Sequence, residues 1–87
     1  MPYSALLDAI AALPAAPTDA CRVFHGRGGV YPGCEHLTLD CYPPVWLLTS
    51  FQALPEDELA AIHAALAARW AELAPGQALN LVFQHRD

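Results

Sequence analysis

Apolar residues recur along this chain with two distinct periods. Leu6, Leu7, Ile10 and Leu13 share one face of a helix, which predicts a helix over residues 4–13. Ser4 suits its N-cap, where a hydroxyl accepts from an unpaired amide. Pro14 stops it, and the residue before a proline is already pushed out of the helical region. Residues 14–19 read as a linker, and residues 21–25 as a short strand. Residues 36–41 alternate cleanly, with Leu37, Leu39 and Cys41 inward and His36, Thr38 and Asp40 outward. Tyr42, Pro43 and Pro44 make a turn, because two prolines cannot donate to a ladder. Residues 45–51 follow as an apolar strand that closes a hairpin.

The helical period then returns. Pro55 suits a first helical position, and Glu56, Asp57 and Glu58 favour the positive end of a helix. Leu59, Ile62, Leu66, Trp70 and Leu73 recur at three and four residues, the stripe of an amphipathic helix. Pro75 and Gly76 end it, and residues 78–84 form a last strand with Leu79, Leu81 and Phe83 inward. The predicted fold class is α+β: a small, mainly antiparallel four-stranded sheet with helices packed on one face, in the order α-β-β-β-α-β.

Length and composition narrow the picture. At 87 residues the chain is one domain, with residues 1–20 as an N-terminal helix and linker and residues 21–87 as the α+β module. A doubly wound cofactor-binding sheet needs several βαβ units of about 30 residues each and cannot fit. Four arginines, no lysine and nine acids give a net charge of −5. Nucleic-acid binders usually carry a basic stripe, so RNA binding is disfavoured. No apolar run reaches the roughly 20 residues of a membrane span. No basic segment leads into an apolar core at the N-terminus, so a cytoplasmic location is expected. Cys21, Cys34 and Cys41 are odd in number and show no CxxC, which favours thiols over a disulfide framework.

The densest polar stretch runs over residues 22–40, with His25, Arg27, Tyr31, Glu35, His36 and Asp40 around four loop glycines and Pro32. Such a loop can present Arg27 and backbone amides to an anion or a partner. A long connection also needs Gly and Pro for its geometry alone. It is not a P-loop, since no GK[ST] follows Gly26. Cys21 and His25, four apart on one strand, should face the same side, as should Cys34 and His36. Thiolate and imidazole suit zinc, although the tight ligand pairs of structural zinc sites are missing. Cys34 with His36 could also form a nucleophilic pair, but nothing in the sequence positions a second group. Cys41, Trp46 and Trp70 read as core residues, and His63 as a partly exposed structural histidine.

Several short runs together resemble a known segment. They are Arg22-Val23-Phe24-His25-Gly26, then Tyr31-Pro32-Gly33, then Leu37-Thr38-Leu39-Asp40, the apolar strand at 45–51, and Gln84-His85-Arg86. In order and spacing they resemble the segment preceding the catalytic domain in class I S-adenosylmethionine-dependent methyltransferases of the ribosomal-RNA cytosine type. The resemblance covers about residues 21–86. Arg27 stands where many relatives carry an acid, and Cys34 where they favour Leu. The resemblance implies a non-catalytic accessory or binding module rather than a methyltransferase, because the chain holds no glycine-rich cofactor loop. It implies no cofactor and a protein partner such as a methyltransferase catalytic domain. An RNA-contacting module and a small thiol or zinc protein are the alternatives. The candidate binding residues are Arg22, His25, Arg27, Tyr31, Glu35, Asp40 and Arg86, with no catalytic or metal-ligating residue assigned.

Overall fold

A computed structural model of the chain describes residues 3–26, 31 and 33–86. Its elements are α1 (Ser4–Ala11), β1 (Cys21–His25), β2 (Leu37–Tyr42), β3 (Val45–Ser50), α2 (Glu56–Leu73) and β4 (Asn80–His85), the expected order. The strands lie side by side as β1-β2-β3-β4. The β1/β2 and β2/β3 pairs are antiparallel and β3/β4 is parallel. The parallel pair follows from α2, which carries the chain back across the sheet before β4 begins.

Both helices cover one face. Leu37, Leu39 and Cys41 of β2 and Trp46 and Leu48 of β3 point into it. They meet Leu6 and Ile10 of α1 and Ile62, Leu66 and Trp70 of α2 in one buried cluster. The two indoles cross edge to face, with centroids 6.1 Å apart, and Trp70 Nε1 donates to the Ala78 carbonyl at 3.2 Å. No helix is long and apolar enough to cross a membrane among the described residues.

The helix ends differ from the sequence reading. Tyr3, not Ser4, holds the N-cap position of α1, and no side chain caps it. Tyr3 is buried and its hydroxyl donates to Glu58 Oε2 at 2.7 Å. Leu13 lies beyond the helix, next to Pro14, and its carbonyl accepts from Nε and Nη2 of Arg69 in α2. Pro55 is the N-cap of α2 rather than its first helical residue.

Leu66 is 1% exposed. Leu66→Ala should therefore cost about 2–5 kcal/mol in urea unfolding, through lost transfer energy and a cavity. A second prediction concerns alkali. Burial, followed by the bond to Glu58, raises the Tyr3 phenol from 10.0 to about 12. The folded chain favours the protonated phenol, so this contribution is whole below pH 10 and fades as pH rises toward 12. Tyr3→Phe should flatten that part of the stability–pH curve.

Candidate functional site

Among the described residues no helix covers the second face of the sheet, and the strand register lays its side chains out in rows. One row runs His25, Thr38, Thr49, Gln84 from β1 to β4. The next runs Arg22, Asp40, Leu47, Val82. Together with Tyr42, Phe51 and Arg86, most of these residues enclose a shallow concavity of about 210 Å³. Thr38, Thr49 and Asp40 form its buried floor. Thr38 and Asp40 thus face away from the helices as expected, but outward here does not mean solvated, and His36, expected outward with them, lies before β2 and packs against Tyr3.

An ion pair holds one rim. Arg22 Nε donates to Asp40 Oδ1 at 2.8 Å, with the carboxylate side chain 8% exposed and the guanidinium 53% exposed. The hydrogen bond to Asp40, and then its charge, raise the Arg22 pKa above its ordinary value. Arg22 Nη1 lies 3.1 Å from His25 Nδ1. A guanidinium can only donate, so in this hydrogen bond Nδ1 accepts. At the far side, the Arg86 amide donates to the Ser50 carbonyl at 2.8 Å, which extends the β3/β4 ladder and sets Arg86 at the rim.

A one-residue irregularity in β1 makes this possible. Pairing runs Cys21 to Cys41 and Arg22 to Asp40, then jumps to Phe24 with Leu39 and His25 with Thr38. Val23 is the extra residue of a β-bulge, which switches the facing of Phe24 and His25. Arg22 and His25, three apart, therefore share the open face. Cys21 and His25, four apart, fall on opposite faces, which corrects the expectation that they would face the same side. Burial, and then the charge of Cys21, raise the Cys41 thiol pKa. No group of three His, Cys, Asp or Glu side chains comes together as a metal site among the described residues.

Of the expected binding residues, Arg22, His25, Asp40 and Arg86 converge on the concavity. Tyr31 lies elsewhere, its ring 5.0 Å from that of Phe24, a residue of the helix-covered face. Glu35 turns back on its own loop. Both its oxygens accept from the Gly33 amide, at 2.8 and 3.0 Å, and bonds to its own and Gly33's backbone lower its pKa. Arg27 lies outside the described residues. His36 packs edge-on against Tyr3, 6.0 Å between centroids, and Cys34 is buried. The sequence reading missed Thr38, Thr49 and Gln84, whose only signal was their outward phase on three separate strands.

No family model, curated protein or solved structure matches this chain.

Three substitutions test this arrangement. A Cβ on Gly26 would stand 1.8 Å from the Cys34 carbonyl oxygen and 2.9 Å from that of Leu37. Backbone cannot yield as a flexible side chain can, so Gly26→Ala should destabilise the fold by about 3 kcal/mol or more in urea unfolding. At the rim, Arg22→Ala strands a shielded carboxylate, whereas Asp40→Asn leaves a guanidinium that water already reaches. Arg22→Ala should lower the melting temperature more than Asp40→Asn does.

Proposed function

We propose that this domain is a non-catalytic binding module whose recognition surface is the open face of the sheet. The observation that carries the reading is the concavity floored by Thr38, Thr49 and Asp40 and lined at its rim by Arg22 and Arg86. Asp40 holds Nε of Arg22 and His25 holds Nη1, while the side chain stays half exposed and Nη2 is left to a ligand. A planar fork held in place loses little freedom when it binds a carboxylate. The matching ligand is an acidic side chain on a segment of a partner protein.

The resemblance to the segment preceding a methyltransferase catalytic domain supports the accessory role and suggests such a domain as the partner. An RNA ligand fits less well. The chain's charge is −5, and Arg69, one of only four basic residues, is engaged with the Leu13 carbonyl on the other side of the sheet.

Nuclear magnetic resonance titration with a glutamate-rich peptide provides the test. Shifts should centre on Arg22, Thr38, Thr49, Gln84 and Arg86, and Arg22→Ala should abolish them. An oligouridylate that binds there instead, with affinity falling steeply with salt, would turn the reading toward RNA. No shift with either probe would refute the open face as a recognition surface. Calorimetry with S-adenosylmethionine should show no saturable heat; micromolar binding would overturn the accessory reading.

A further inference from the structure

The two edges of the sheet are built differently. An edge strand exposes unpaired amides and carbonyls, and proteins usually blunt it with charge, proline or a bulge. β1 has two of these devices, the bulge at Val23 and the charge of Arg22. β4 has none. Its pairing with β3 is regular, and no charged residue or proline lies between Gly76 and His85. Val82 at its centre is 51% exposed. Beside this edge Leu81 and Phe83 form a largely apolar groove with Glu56, Leu59, Ala60 and His63 of α2. Helical spacing puts Ala64, Ala67 and Ala71 on the same side of α2 as Ala60, so beyond Glu56 and His63 this flank carries small side chains.

The sequence of the edge names its occupant. Asn80-Leu81-Val82-Phe83-Gln84 is a palindrome by residue class: amide, apolar, β-branched, apolar, amide. We propose that β4 pairs antiparallel with β4 of a second copy of this chain, about a two-fold axis through Val82. Directly opposite residues of an antiparallel pair share a face. Val82 then meets the partner's Val82, Leu81 meets the partner's Phe83 over the apolar groove, and Asn80 meets the partner's Gln84. The contact is isologous and closes at two copies. It joins two sheets into one of eight strands. The row Arg22, Asp40, Leu47, Val82 continues across the axis into its own mirror sequence, and Asn80 of one copy lies beside Gln84 at the concavity of the other.

Sedimentation of the full chain from micromolar to millimolar concentration should show a species of twice 9.4 kDa. Val82→Lys alters an already half-exposed position. It should stay folded by circular dichroism and become monomeric. The register is tested by exchanging the amides. Asn80→Glu with Gln84→Glu sets like charges opposite each other twice and should weaken the dimer by about tenfold or more. Asn80→Lys with Gln84→Glu sets opposite charges there and should keep it. The proposal is overturned by a wild-type chain that stays monomeric throughout or grows beyond two copies. It is equally overturned by a folded Val82→Lys dimer, or by equal dimerisation of the two exchanged pairs.

Discussion

A four-stranded sheet with only two helices can cover one of its faces, and everything else in this protein adjusts to that limit. The covered face is almost wholly apolar and holds the tryptophan pair. The other must satisfy water while still filling the space between strands. It does so with β-branched threonines on the two central strands and one ion pair laid across β1 and β2. Asp40 is shielded enough that its charge needs a partner, and Arg22 supplies it with a guanidinium whose far side remains wet.

The pair depends in turn on the bulge. Regular alternation in β1 would place Phe24 with Arg22, either exposing an aromatic ring or driving a charge under α1. One inserted residue lets Phe24 enter the core while Arg22 and His25 share the open face. The chain immediately after β1 is equally constrained, since Gly26 passes against the backbone at Cys34 and Leu37 with no room for a side chain. The polar rim is thus attached to a rigid edge, as recognition surfaces generally are.

The contrast between the edges gives the molecule a direction. The β1 side carries the bulge, the Arg22–Asp40 pair and most of the polar rim, while residues 80–85 hold no Asp, Glu, Lys or Arg and the helix beside them is rich in alanine. The recognition proposed for the open face and the pairing proposed for β4 share Gln84 and otherwise draw on different residues.

The sequence by itself determined the element order and the covered face. Leu59, Ile62, Leu66 and Trp70 at helical spacing, and Leu37, Leu39 and Cys41 at alternate positions, are local patterns that survive any packing. It also pointed to Arg22, His25, Asp40 and Arg86, because charged and imidazole groups stand out against a chain that is 55% hydrophobic. It could not show that these four meet, since that requires the pairing register of all four strands. Nor could it reveal the bulge, because nothing in Arg22-Val23-Phe24 departs from an ordinary strand; the competition between burying Phe24 and keeping Arg22 with Asp40 decides it. Tertiary structure alone made Thr38 and Thr49 the floor of a site. A residue's phase on a strand is written locally, but the neighbours that shield it come from other strands.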